Sequence, residues 1–208
     1  MEERDKGQFE GLAQVVAYLS DKPLLAKYRD YCTNRAQGMR REAIHSLKGF
    51  LNETAKWTFE ERKDFVDWLL WIHHSLPHIS DLLPNQLLLS LIEPTLAEWM
   101  IAEPENGCPY RWSGGIENLR KAISLDRNDD IAKIKFGKII LNDSGYSIQE
   151  LPEGYLGNPR EDLEEVTEAI GYVSDAIMSA ERDAILEGLT INRGKIEGWL
   201  LDTPGEAD

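Results

Sequence analysis

Residues 58–75, TFEERKDFVDWLLWIHHS, carry the clearest structural signal in this sequence. Thr58 and Glu61 have the spacing of a capping box, in which two side chains reciprocally satisfy free backbone N–H groups at the start of a helix. The helix that follows, over Phe59–His74, is apolar nearly all round. Such a helix is normally central to a fold. We therefore expect a helical core built around this segment.

Leucine dominates the apolar residues, with 26 Leu against 5 Val in 208 residues. Leucine keeps its rotamer freedom in a helix, whereas valine loses it against the preceding turn, so this ratio favours helices over strands. Apolar residues also recur at helical spacing before the central segment, over 9–19 and over 24–50, with a break near Gly38. The sequence thus predicts an all-α protein, either a multi-helix bundle or a short array of α-hairpins.

Proline and capping residues bound the other helices that the sequence predicts. These helices are expected at 85–92, 94–102, 116–125, 130–141, 158–188 and 193–201. Two long irregular loops are expected between them, at 103–115 and 142–159. No low-complexity linker divides the chain, so we predict one all-helical domain over 1–208. Its weakest point is 103–115, which leaves 1–102 and 116–202 as possible sub-units.

The charge of −14 is unevenly distributed, with −4 in residues 1–104 and −10 in residues 105–208. An acidic surface repels phosphate backbones, so we expect no nucleic-acid partner; it would suit a basic partner protein. The apolar runs are too short to span a bilayer, and the amino-terminal sequence lacks the apolar stretch of a signal peptide. Cys32 and Cys108 suggest neither a disulfide framework nor a cysteine-based zinc site. We expect a cytoplasmic protein without a cofactor.

Residues 115–146 resemble the junction between two tetratricopeptide repeats. The phrase AISLDRN at 122–128 matches the end of one repeat, Phe136-Gly137 stands where that family has Leu-Gly, and Gly145-Tyr146 lies at the expected turn. The small residues Ala122 and Gly137 would let two antiparallel helices cross closely. The resemblance implies a helical hairpin and a role as a protein-binding scaffold.

The segment 108–115, CPYRWSGG, holds the residue types that dominate binding hot spots. Tyr110, Arg111 and Trp112 are therefore candidate binding residues, and Tyr155 in the second loop is a fourth. The alternative is that Tyr110 and Trp112 pack into the core and fix a long loop. If both loops lay on one side of the bundle, they would form a single site.

His73, His74 and His78 are the only candidate metal ligands that stand out. His74 and His78 are four residues apart, which places two imidazoles on one face of a helix. However, Pro77 lies between them and is expected to end the helix. We therefore predict no metal site, and we interpret these histidines as polar residues at the end of a buried helix.

Residues 163–184 show alternating three- and four-residue apolar spacing over about three heptads. The pattern runs through Leu163, Val166, Ile170, Val173, Ile177, Ala180 and Ala184. Packing inside the bundle explains it, and a homodimer through this segment is the alternative.

No catalytic motif stands out in this sequence. The leading hypothesis is a non-enzymatic protein-protein interaction module with an acidic surface, of which an antitoxin- or immunity-like protein that binds a basic partner is one version. The alternative is a helical enzyme that binds a small ligand or a metal through the loops at 103–115 and 145–158. In that alternative Arg111 would hold an anion and a histidine would act as acid or base.

Overall fold

The computed structural model describes the backbone of residues 2–203 and the side chains of residues 10–203. Within that range the chain is all-α and contains no strand, which confirms the predicted multi-helix bundle. The chain divides into two compact units, Met1–Glu103 and Pro104–Asp208. The boundary falls at the start of the segment 103–115.

Unit 1 contains α1 to α6. Their bounds are α1 Glu2–Tyr18, α2 Ala26–Ala36, α3 Arg40–Thr54, α4 Phe59–Ser75, α5 Asn85–Leu87 and α6 Glu93–Ala102, with a π-helical turn at Leu88–Ile92 between the last two. The predicted break near Gly38 is confirmed between α2 and α3, where Gly38 has a φ of 72°. Residues 85–102 form one helical run rather than the two helices predicted, since the π-helical turn at Leu88–Ile92 leads directly into α6, of which Pro94 is the second residue.

The predicted capping box opens α4. Thr58 Oγ1 accepts a hydrogen bond from the Glu61 backbone N–H, and Glu61 accepts one from the Thr58 backbone N–H. One side of α4 is buried in the core of unit 1, at Phe65, Val66, Leu69 and Leu70. Trp71 on the opposite side is 53% exposed, so α4 is not buried all round.

Unit 2 contains α7 to α11. Their bounds are α7 Gly107–Ser113, α8 Ile116–Leu125, α9 Asp130–Ser147, α10 Pro159–Ser174 and α11 Ala180–Asp202. Helices α8 and α9, which follow one another in the chain, contact each other. Gly137, however, does not face α8: a Cβ at this position would collide with Val173 of α10 and Ile185 of α11. The absence of a side chain at Gly137 therefore allows α9 to pack closely against α10 and α11.

The prediction of an irregular segment at 103–115 is wrong, because α7 lies inside it. Asn106 caps α7 by accepting a hydrogen bond from the backbone N–H of Cys108. Pro109 is tolerated in the first turn, where its missing N–H has no helical partner. Gly114 and Gly115 then have φ values of 71° and 78°, and the helix stops there.

The second irregular segment is shorter than predicted, since α9 continues to Ser147 and leaves only 148–158 between helices. The single helix predicted over 158–188 is also wrong. It ends at Ser174, and a new helix begins where Ser179 caps the Arg182 backbone N–H. The Arg182 guanidinium fixes this turn by donating to the carbonyls of Val173 and Ser174.

This break removes the continuous apolar face on which the homodimer hypothesis relied. Val166 and Val173 are buried in the core of unit 2, whereas Ile177 is 76% exposed in the turn between α10 and α11. Ala180 and Ala184 are also exposed. Separately, no helix in residues 2–203 combines the length and apolar character needed to cross a membrane.

Candidate functional site

Unit 1 contains a cavity of about 390 Å³ with aromatic walls and acidic side chains, which we call the aromatic cavity. The side chains that define its chemistry are Trp57, Phe65, Trp68, Asp21, Glu61 and Asp64. The volume is within the range of small-ligand pockets, about 300–1,000 Å³.

One wall of this cavity is a stripe of α4, and the segment 21–25 forms the opposite part. Glu61, Asp64, Phe65 and Trp68 are spaced by three, one and three residues, which places them on one face of a helix. The capping box fixes where α4 begins and therefore the direction of this stripe. Asp21 comes from the turn after α1. The site is thus built on the best-defined helix of unit 1.

The aromatic walls are held by ring contacts rather than by hydrogen bonds. Trp57 and Trp68 each contact Phe65, with ring centroids 5.9 Å apart in both pairs. Trp68 is also stacked on Tyr18 at a centroid distance of 5.4 Å and an interplanar angle of 10°. Because Phe65 is buried, this cluster connects the cavity to the core of unit 1.

The indole nitrogen of Trp68 is the unusual feature of the cavity. Nε1 of Trp68 is buried and has no hydrogen-bond partner in the described part of the chain. A buried donor without an acceptor costs about 1–3 kcal/mol.

The carboxylates give the cavity a negative charge. Asp21, Glu61 and Asp64 are all exposed, and Lys22 is the one basic residue in the cavity wall. Asp21 and Asp64 form no ion pair with any residue that the structure describes. The Lys22 ammonium lies 4.7 Å from the centroid of the Tyr18 ring. The protein's own cation therefore shows that the aromatic rings beside the cavity accommodate an ammonium group.

Sequence reasoning missed this site. The segment was interpreted only as a core helix, although an acidic and aromatic stripe at 61, 64, 65 and 68 was visible at helical spacing. A signal was therefore present in α4. The contribution of Asp21 was not visible, because that residue is 40 positions away from Glu61 in the sequence.

The structure gives Arg111 a different role from the predicted one. Its Nη1 is 3.1 Å from Oδ2 of Asp129, a buried carboxylate, and its Nη2 is 2.9 Å from Sγ of Cys108. Arg111 lines a cavity of about 460 Å³ together with Glu105, Asp126 and Asp129. Three carboxylates around one guanidinium repel an anion, so this arrangement does not support the anion-holding role.

Trp112 and Tyr110 act mainly to hold α7 in place. Trp112 is buried and is contacted by two cations, with the Arg111 guanidinium 4.7 Å and the Lys135 ammonium 4.1 Å from its ring centroid. Burial, followed by the nearby charge of Arg111, lowers the pKa of Lys135 to about 8. The hydroxyl of Tyr110 donates to the carbonyl of Pro104 at 3.3 Å.

Tyr155 lies far from these residues. Its hydroxyl donates to Oδ2 of Asp162 at 2.7 Å, and burial raises the pKa of this phenol. The loop of Tyr155 meets the end of α9 at Ser147, whereas Arg111 meets its start at Asp129. The 18 residues of α9 rise about 27 Å. The two segments therefore do not form the single site considered from the sequence.

The histidines do not come together as a metal site either. Helix α4 ends at Ser75, so His73 and His74 lie in its last turn and His78 lies beyond it. In the described part of the chain, no group of three or more histidine, cysteine, aspartate or glutamate side chains is placed to hold a metal ion.

Comparisons with protein-family models, with curated proteins and with solved structures return no significant match to this chain. The function is therefore argued from the chemistry of the aromatic cavity.

Proposed function

We propose that this chain is a non-enzymatic protein-binding module that takes a basic side chain of a partner protein into the aromatic cavity. The observation that carries the proposal is the combination of aromatic walls with two carboxylates, Asp21 and Asp64, that have no ion-pair partner among the described residues. A lysine or arginine side chain has an apolar stem and a cationic end, and it matches both features.

Three interactions would act together. The aromatic faces attract a cation by about 0.5–2 kcal/mol, and more when water is excluded. The carboxylates of Asp21, Glu61 and Asp64 favour the same charge. The apolar stem of the basic residue would pack against Leu24, Leu25 and the aromatic walls of the cavity. The net charge of −14 would also speed the encounter with a basic partner.

In biological terms, we propose an antitoxin- or immunity-like protein, which would bind and neutralise a basic partner protein. The resemblance of residues 115–146 to a tetratricopeptide-repeat junction agrees with a scaffold role. The enzyme alternative lacks comparable support, because Arg111 is held by Asp129 and is surrounded by carboxylates.

The test uses blocked amino acids as probes: N-acetyl-lysine methylamide and its arginine, norleucine and glutamate counterparts. Binding is followed by the NMR shift of the Trp68 indole N–H, which is assigned with Trp68→Phe. We expect saturable shifts with the lysine and arginine compounds and at least fivefold weaker binding of the norleucine compound, since one exposed charge interaction contributes about 1 kcal/mol. Glutamate should not bind.

Matched variants separate the cavity from general surface charge. Asp64→Asn should weaken lysine binding about two- to fivefold, whereas Glu42→Gln, at an exposed acidic residue on α3, should leave it unchanged. Binding should also weaken when salt is raised to about 1 M, because salt screens exposed charges. Equal binding of lysine and norleucine, or equal effects of the two substitutions, would refute the proposal.

A further inference from the structure

The last helix of unit 2, α11, has an apolar side that is exposed, in addition to the side that is buried. The buried side packs against α9 and α10 at Ile185, Leu189, Asn192 and Ile196. On the opposite side of the helix, Ile191 is 51% exposed and Leu201 is 81% exposed. A helix with one side in water normally carries polar and charged residues there. We call this exposed side the outer face of α11.

The members of the outer face follow one another at intervals of three and four residues, which keeps them on one side of the helix. They are Ala180, Ala184, Glu187, Ile191, Gly194, Gly198 and Leu201. A Cβ added at Gly194 or Gly198 would meet no atom within 4 Å, so both glycines lie beside open space. The face is apolar except for Glu187, and its small residues allow a second helix to approach closely.

The outer face is complementary to itself when its direction is reversed. Ile191 is the midpoint of α11, which extends over Ala180–Asp202. A two-fold axis at Ile191 places residues that are equally far before and after it opposite each other in an antiparallel pair of copies. The residues that meet are Ile191 with Ile191, Glu187 with Lys195, Ala184 with Gly198 and, within one residue, Ala180 with Leu201. Opposite charges therefore meet, and the large side chain of Leu201 lies over a small one.

The two charged residues of this arrangement have no partner ion inside the chain. Glu187 and Lys195 are both exposed, and neither forms an ion pair with a residue that the structure describes. Other acidic residues of α11 are paired: Glu181 contacts Lys138 at 2.5 Å, and Glu197 contacts Arg193 at 3.6 Å. A parallel pair of helices would place Glu187 opposite Glu187, so the charges favour the antiparallel direction.

We propose that the outer face of α11 binds the same face of a second copy of this chain, as an antiparallel, two-fold symmetric helix pair. Two-fold dimers are the commonest homo-oligomers, and they need one self-complementary surface. The contact extends over about 32 Å, the rise from Ala180 to Leu201. One helix pair is a small interface, so the dimer is weak. The surface belongs to unit 2 alone and is independent of the aromatic cavity.

The test measures the mass of the full chain by analytical ultracentrifugation, from about 10 µM to 1 mM protein in about 0.15 M salt, which screens the repulsion between acidic copies. We expect the mass to rise from that of the monomer toward twice that value. Gly198→Gln should weaken association at least about tenfold, because a long side chain blocks the approach of the helices. Glutamine also favours a helix more than glycine does, so this variant keeps α11 folded. Gly171→Gln, at an open glycine of α10, should leave association unchanged.

Exchanging the charges tests the direction of the helices. Glu187→Lys alone and Lys195→Glu alone should each weaken association, because like charges then meet twice in every dimer. An equimolar mixture of these two variants should associate as well as the wild type, since opposite charges again meet at both levels. Glu42→Lys and Lys121→Glu change the net charge equally at exposed residues of α3 and α8, and they should have no such effect.

Three results would overturn the proposal. The first is a wild-type chain that remains a monomer at 1 mM. The second is association that Gly198→Gln leaves intact, which would mean that the copies meet through another surface. The third is a mixture of Glu187→Lys and Lys195→Glu chains that associates no better than either variant alone.

Discussion

The two units stabilise their cores with different chemistry. Unit 1 is aromatic: Phe50 contacts the rings of Tyr28, Trp57 and Phe65, with centroids 5.1–5.5 Å apart. Unit 2 is aliphatic, with close helix contacts at Gly137, and it buries charged groups such as Asp129. The cavities differ as well. The aromatic cavity of unit 1 has aromatic walls, three carboxylates and one lysine, whereas the cavity beside α11 in unit 2 is lined by the amide of Asn192, one lysine and one aspartate.

The comparison shows that the two units of one acidic chain rely on different interactions in their cores. Binding in the aromatic cavity depends on unpaired carboxylates and should weaken with salt. Four groups of substitutions test how the two units differ in the origin of their stability.

Removing the buried ion pair of unit 2 should have the largest effect. Arg111→Ala leaves the carboxylate of Asp129 buried without its cation, and such a change costs about 3–5 kcal/mol. Urea unfolding measures the loss, and Lys121→Ala serves as the exposed control. The double variant Arg111→Ala, Asp129→Asn should recover part of the loss, because the unpaired charge is then absent. A loss below 1 kcal/mol would show that the pair contributes little.

The aromatic contacts of unit 1 should give the next largest effect. Phe50→Leu keeps apolar volume but removes three ring contacts, each contributing about 0.5–1.5 kcal/mol, so we expect a loss of about 2–4 kcal/mol. Phe136→Leu in unit 2 removes one ring contact, with Tyr172, and a cation contact with Arg120. Its expected loss is about 1–2 kcal/mol by the same magnitudes. Equal losses by urea unfolding would contradict the distinction between the two cores.

Glycine substitutions probe the close helix packing of unit 2. Gly137→Ala inserts a methyl group against Val173 and Ile185, and overpacking of this kind costs about 1–3 kcal/mol. Gly194→Ala, in the open on α11, should instead stabilise by about 0.5–1 kcal/mol, because alanine has less freedom in the unfolded chain. Val173→Ala added to Gly137→Ala should reduce the overpacking. Thermal unfolding measures all three variants, and stabilisation by Gly137→Ala would contradict the packing described here.

Lys135, a partly buried lysine of unit 2, should give a smaller, pH-dependent effect. Burial and Arg111 lower the pKa of Lys135 from its ordinary 10.5 to about 8, so between these values the unfolded chain binds more protons than the folded one. Stability should therefore rise as pH increases through this window, by at most a few kcal/mol. The difference between wild type and Lys135→Met, measured at pH 7 and pH 9, isolates this contribution. A lysine Cε resonance that titrates near pH 8 and is absent in Lys135→Arg would identify the group directly.

The sequence was most informative where local chemistry is sufficient. Thr58 and Glu61 satisfy backbone groups within one turn of each other, and Asn158 caps the amide groups of Arg160 and Glu161. Such signals need no tertiary partner, and both helix starts were predicted correctly. The break after Ser174 was not predicted, because Arg182 fixes it through hydrogen bonds to carbonyls of a turn eight or nine residues earlier.

The sequence by itself determined the all-α class, the acidic charge and the starts of α4 and α10, since composition and short-range spacing establish these features. Only the tertiary structure decided the candidate sites. The aromatic cavity combines Asp21 with a stripe of α4, and the exposed Oδ1 of Asn192 depends on the partners that α9 gives to its amide. Both depend on which side chains meet across distant segments and on which polar atoms those contacts leave without a partner. Local spacing contains the stripe of α4, but neither its meeting with Asp21 nor the partners of Asn192.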